Sequence, residues 1–126
     1  MSITGEVIRL SVPASLEFIR IVRLTASGVA NRLGFDVDEV ENLRVAVDEL
    51  ASLVLEQADG AGTLDVEFLV RDSELHIEGR VPAPIGGAVR AEALTAQILR
   101  AVTDDYDLRV DDGYARFSCV RRLPAE

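Results

Sequence analysis

Hydrophobic positions recur along this chain with two alternating periods, and the switches between them mark out the elements. From Val40 to Ala58 the apolar residues Val40, Leu43, Val47, Leu50, Val54 and Ala58 fall on one side at 100° per residue, with Ala46, Ala51 and Leu53 widening the stripe. Glu41, Asp48, Ser52 and Glu56 lie opposite, and Glu49 sits on the shoulder in line with Asn42 and Glu56. The pattern predicts a core helix with Asp36 or Asp38 as N-cap, acidic residues at the positive end of its dipole, and Asp59-Gly60 as its stop. An earlier helical period runs from Ala14 to Leu33, with Leu16, Ile19, Val22, Ala26, Val29 or Ala30, and Leu33 inward and Gly34 as the stop. Phe18, Ile21 and Leu24 lie off the centre of that stripe. They are either covered on a second side within the fold or form a face for a partner. Phe35 and Val37 are expected to pack in the turn between the two helices.

Strict alternation marks the strands. Glu6 to Val12, ended by Pro13, reads as an edge or near-edge strand with Ile8, Leu10 and Val12 on one face. Leu64, Val66, Phe68 and Val70 point one way in the next strand, and Leu75, Ile77, Gly79 and Val81 in the one after it, with a polar turn at residues 71–74. Residues 81–88, VPAPIGGA, form a loop, and Val89 to Thr103 reads as a third helix with Ala91, Leu94, Ile98, Ala101 and Val102 inward. Tyr106 to Val110 and Tyr114 to Leu123 then flank Asp111-Asp112-Gly113, a hairpin signal. One-sided alternation in the strands implies a sheet covered on one face only. The expected architecture is an α/β two-layer sandwich in a single domain over residues 1–126, with one mixed sheet and three helices on one face.

Composition narrows the chemistry. A chain of 126 residues can bury a core without staples, and a net charge of −9 argues against a general nucleic-acid binder, which needs a basic stripe. The acidic body should instead be drawn to basic protein surfaces. All thirteen basic residues are arginine, so a P-loop lysine, a Schiff-base lysine and a lysine general base are excluded together. The lone His76 has no second ligand spaced near it and reads as a surface residue, so no metal site is expected. Cys119 reads as a small buried hydrophobe. Gly86-Gly87 before a helix could cradle a phosphate or make a plain turn. No charged leader precedes an apolar stretch and no run of eighteen apolar residues occurs, which predicts a cytoplasmic protein that does not enter the membrane.

The run RVAVDELASLVLEQA, preceded by SLEFIRIVRLTASGVANRLGF and followed at the end of the chain by RAVTDDYDLRVDDGYARFSCVRRL, resembles the anti-sigma-factor serine protein kinases, small members of the histidine-kinase-like (Bergerat) ATPase superfamily. The resemblance implies that fold over nearly the whole chain, ATP and Mg²⁺ as possible cofactors, a sigma factor or anti-sigma antagonist as partner, and often a homodimer. In the family the nucleotide-binding helix carries Glu, then Asn four residues on. The Glu is the base or positions water, and the Asn holds Mg²⁺. Glu49 matches the first and is the catalytic candidate, while Leu53 stands at the second and offers no oxygen to a hard cation. The Asp that recognises adenine in the family has no counterpart in GRVPAPIGG, and the glycine-rich box is replaced by RAEALTAQIL. Ser52, Gly86 and Gly87 remain as nucleotide-contact candidates, and Phe18, Ile21 and Leu24 as partner-contact candidates. The leading expectation is a regulatory binding protein without ATP chemistry. A working serine kinase and a stand-alone dimerisation module stay open beside it.

Overall fold

The computed structural model describes residues 6–85 and 87–125. The order of elements is β1 (Val7–Pro13), α1 (Ile19–Arg32), α2 (Val37–Leu55), β2 (Thr63–Arg71), β3 (Glu74–Pro82), α3 (Ala93–Val102), β4 (Asp105–Asp111) and β5 (Tyr114–Arg122), with a 3₁₀ turn at Leu16–Phe18 ahead of α1. The five strands form one sheet in the order β1-β2-β3-β5-β4. Every neighbouring pair is antiparallel, which corrects the expected mixed sheet. The crossover through α3 does bring β4 back parallel to β3, but β5 is inserted between them and pairs antiparallel with both.

α2 is the hub of the core. Leu43, Ala46, Val47, Leu50, Ala51 and Val54 are fully buried, each of the larger side chains contributing about 1.5–3 kcal/mol by leaving water. The helix starts three residues earlier than its apolar period suggests because Asp36 makes a capping box. Its carboxylate accepts from the Glu39 amide at 2.8 Å, while the Glu39 side chain accepts from the Asp36 amide at 3.0 Å. It also ends earlier, at Leu55, with Gly60 taking a positive φ of 89° five residues on. α1 packs along α2, α3 packs against its other flank, and all three helices lie on one face of the sheet. Leu64, Val66, Phe68, Leu75, Ile77, Val81, Ala115, Phe117 and Cys119 meet them from below. Both hairpin turns, Asp72-Ser73 and Asp112-Gly113, hold positive φ at their two central residues, the geometry that matches strand twist.

Three boundaries differ from the apolar pattern. Leu16 belongs to the 3₁₀ turn and is 65% exposed, because the chain leaving Pro13 turns before α1 begins. Val37 is 84% exposed at the first turn of α2, while Phe35 is buried. α3 is four residues shorter at its start and rotated from the expected stripe: Leu99 and Val102 are inward, and Leu94 and Ala101 face out.

Candidate functional site

Glu49 and Ser52 sit one turn apart in the middle of α2, each half-buried, and Glu49 makes no hydrogen bond or ion pair among the described residues. Leu53 and Gln57 follow Glu49 at i+4 and i+8, so the three lie along one drifting stripe of the helix. Gly87 approaches the far end of that stripe. Its φ is +114°, and a Cβ placed on it would lie 3.3 Å from Oε1 of Gln57. The loop that leaves β3 therefore runs against the C-terminal end of α2, about 12 Å along the axis from Glu49. Glu49, Ser52 and the Gly87 loop thus share a helix without converging on one point. Gly86 lies outside the described residues.

The donor set does not fit a magnesium ion held in the family's manner. At the position where the resemblance calls for an amide oxygen, Leu53 presents a half-buried isobutyl group. Among the described residues no three His, Cys, Asp or Glu side chains gather as a metal site. His76 is a correction to the sequence reading: its side chain is only 15% exposed, wedged on the outer face of the sheet with Nε2 3.4 Å from Glu74 Oε1. That approach lacks hydrogen-bonding geometry, and Nε2 is left without a partner. Cys119 is buried as expected, and burial pushes its thiol from 9.0 up to about 12, so it is not a nucleophile.

The partner-contact candidates divide. Ile21 and Leu24 stand on the outward side of α1 at 42% and 60% exposure, so they are not covered within the fold. Phe18 instead packs on the core from the end of the 3₁₀ turn. Gly28 continues the outward strip with nothing within 4 Å of a Cβ there. Beside it, Ile8, Thr25, Val29 and Arg32 line a slot of about 360 Å³ between α1 and β1. α1 carries three arginines and no acidic residue, in a chain of net charge −9. Sequence reasoning also missed the exposed Ile85 and Leu94, which flank the Gly87 loop in sequence. The loop's Gly and Pro content was the available signal.

A helix-covered antiparallel sheet of this order, with α2 as hub and α3 crossing over β5, defines a two-layer α/β sandwich of the histidine-kinase-like ATPase type. Among solved structures, the RsbU and RsbW domains of a Mycobacterium tuberculosis protein superpose on 93% of this chain with a TM-score of 0.73, covering 32% of that chain at 15% identity. That likeness establishes the fold. In sequence the chain is 41% identical over 73 residues to the serine-protein kinase RsbW of Halalkalibacterium halodurans, over 57% of this chain and 45% of that protein. It is 39% identical over 82 residues to the serine-protein kinase RsbW of Bacillus pumilus, over 61% of this chain and 51% of that protein. The chain spans about half the length of these curated relatives. No protein-family model matches it. The resemblance to anti-sigma serine kinases therefore holds in both sequence and fold. No helix among the described residues is long and apolar enough to cross a membrane.

Proposed function

We propose that this chain is an anti-sigma-type regulatory protein that holds a protein partner, a sigma factor or an anti-sigma antagonist, and that its nucleotide site has lost or weakened ATP binding. The observation that carries the reading is the combination, within one RsbW-like sequence, of Leu53 at the magnesium-ligand position and the uncovered apolar pair Ile21 and Leu24 on α1. The first removes the oxygen that would anchor a phosphate-bound cation. The second supplies a contact that a partner can cover. Arg20 is exposed beside Ile21, Arg23 of α1 pairs with Asp48 of α2 at 3.5 Å, and Glu17 stands exposed one turn ahead of Ile21, so this face carries charge of both signs. The partner segment that fits it is apolar, with polar and charged groups of both signs at its rim.

A second reading, a working serine-protein kinase, is favoured by the relatives' name and by Glu49, which stands half-exposed with no ion pair among the described residues. Calorimetric titration with ATP and Mg²⁺ separates the two. No measurable heat, together with capture of a purified sigma factor or antagonist, supports the binding protein. Micromolar ATP affinity and phosphate transfer to the antagonist would establish the kinase instead.

A further inference from the structure

The two edges of the sheet are guarded differently. β4 closes one side of the strand order and β1 the other. β4 carries Asp105, Asp107 and Asp111, charges that discourage a further strand from pairing with it. β1 carries no acidic residue, and Arg9 is its one charge. The register tells which of its backbone groups are free. Ala14 donates its amide to the Gly62 carbonyl at 3.1 Å, in the same register that sets Pro13 opposite Thr63, so Ile8, Leu10 and Val12 are the residues that exchange bonds with β2. Val7, Arg9 and Ser11 then turn their N–H and C=O groups away from the sheet, where no other strand of the chain takes them. Pro13 holds the next outward position, so its missing N–H costs β1 no bond to β2.

A slot of about 360 Å³ opens between α1 and β1, lined by Ile8, Thr25, Gly28, Val29 and Arg32. Thr25 donates its hydroxyl to the Ile21 carbonyl at 2.9 Å, which leaves Arg32 as the slot's one charged group. Arg32 is exposed and makes no ion pair among the described residues. Ile8 and Leu10 point toward the helices but stay half-buried, whereas the inward residues of β2 are all buried. Unpaired backbone, half-covered apolar side chains, a slot and a free cation therefore coincide along β1.

We propose that an extended segment of a partner protein adds to β1 as a further strand, bonded to the outward groups of Val7, Arg9 and Ser11. Its side chains opposite Ile8 and Leu10 lie about 4.8 Å further out on the helix side and enter the slot against Val29 and Gly28. The side chain between them lies on the outer face, opposite Arg9. Arg9 spends Nε on Glu67 at 2.8 Å, and its terminal nitrogens make no ion pair among the described residues, so a second carboxylate fits there. The edge thus selects an apolar-acidic-apolar alternation, with a further acid beside Ile8, where Arg32 stands. This surface is separate from Ile21 and Leu24 and does not depend on what covers them.

The probe is a capped, fluorescein-labelled peptide in which Ile alternates with Glu, and its control has the same composition with the Ile residues grouped together. In fluorescence polarisation the alternating peptide is expected to bind and the control to bind about tenfold more weakly or worse. Methylating one alternate set of the peptide's backbone nitrogens is expected to cost about tenfold or more, and methylating the other set little. Hydrogen exchange should slow in the complex at the amides of Val7, Arg9 and Ser11 and stay unchanged along β4. Gly28→Leu, with nothing within 4 Å of a Cβ there, fills the slot from the helix and is expected to weaken the peptide about tenfold, with unchanged far-UV circular dichroism. Arg32→Glu is expected to shift preference to the peptide with Lys in place of Glu. An alternating peptide that does not bind, protection on β4 instead of β1, or a Gly28→Leu chain that binds like the native one would each overturn the inference. Slow exchange at Val7, Arg9 and Ser11 that grows with protein concentration in the absence of peptide would give the edge to a second copy and overturn it as well.

Discussion

Gly79 is the position where adding one carbon should do the most damage. It is buried in β3, opposite Phe117 of β5, and a Cβ built there would sit 2.2 Å from Cε2 and 2.6 Å from Cζ of the Phe117 ring. Those distances lie far inside van der Waals contact, so the ring must move. Phe117 is 2% exposed and packed within the core, so the ring can move only by displacing its neighbours. Overpacking of this kind costs about 1–3 kcal/mol. Taking about 2 kcal/mol, Gly79→Ala should lower the unfolding midpoint by about 8 °C in a domain of this size. Urea unfolding followed by circular dichroism measures it directly. Phe117→Leu removes the atoms that clash, so the double variant should be less destabilised than the sum of the two single changes, by about 1 kcal/mol. Gly79→Ala with native stability, or strict additivity in the double variant, would refute the reasoning.

Four further outcomes are expected. Asp36→Ala removes the capping box of α2 and should cost about 1 kcal/mol in urea unfolding, with Asp36→Asn costing less. Because burial raises the Cys119 thiol from 9.0 to about 12, the unfolded chain ionises first as pH rises. Stability should therefore be independent of this group below pH 9.0 and fall by up to about 1.4 kcal/mol per pH unit between 9.0 and about 12, a slope that Cys119→Ala removes. Leu53→Asn alone should not create phosphotransfer, since one restored ligand leaves adenine recognition and the phosphate loop absent; a radiolabel assay with the antagonist checks it. Ile21→Arg should change stability by no more than about 0.5 kcal/mol, because the side chain is 42% exposed, while abolishing capture of the partner; a variant that unfolds would return Ile21 to the core.

How much was legible in the sequence varies with how strongly each segment commits to one period. α2 and the β2–β3 hairpin could be read almost residue by residue, since Leu43 to Val54 and Leu64 to Val81 each bury a single face and repeat it long enough to leave one phase. α3 could not. It has ten residues, and Leu94, Ile98, Leu99, Ala101 and Val102 surround it, so the pattern admits two rotations, and the true one puts Leu99 inward against α2. The sheet is antiparallel throughout, not mixed, because the chain order leaves open which strand of the last hairpin pairs with β3, and it is β5 that does. A clue was present: Asp105, Asp107 and Asp111 crowd β4, the charge signature of an edge strand, while β5 offers Ala115, Phe117 and Cys119 to the core. At the candidate site, Leu53 was visible at once as a missing ligand. The exposure of Ile21 and Leu24 depended on how α1 rolls against α2, which periodicity alone leaves open.

Both layers of this chain carry charge of both signs. On the helix layer Arg20 stands beside Ile21 while Arg23 pairs with Asp48, whereas the outer face of the sheet sets Glu67, Glu78 and Asp107 next to Arg80, Arg116 and Arg109. The hydrophobic core between them, centred on α2, keeps the two surfaces a full sandwich thickness apart, so neither needs the other in order to bind. Occupancy of one can then influence the other only through mass action or through the shared core, and the core is close-packed around Leu43, Val47 and Leu50 with each at 0% exposure. Ser118→Arg, a change on the outer face of the sheet, should therefore leave partner affinity measured by calorimetry unchanged, and an affinity lowered by it would place a partner contact on the sheet as well.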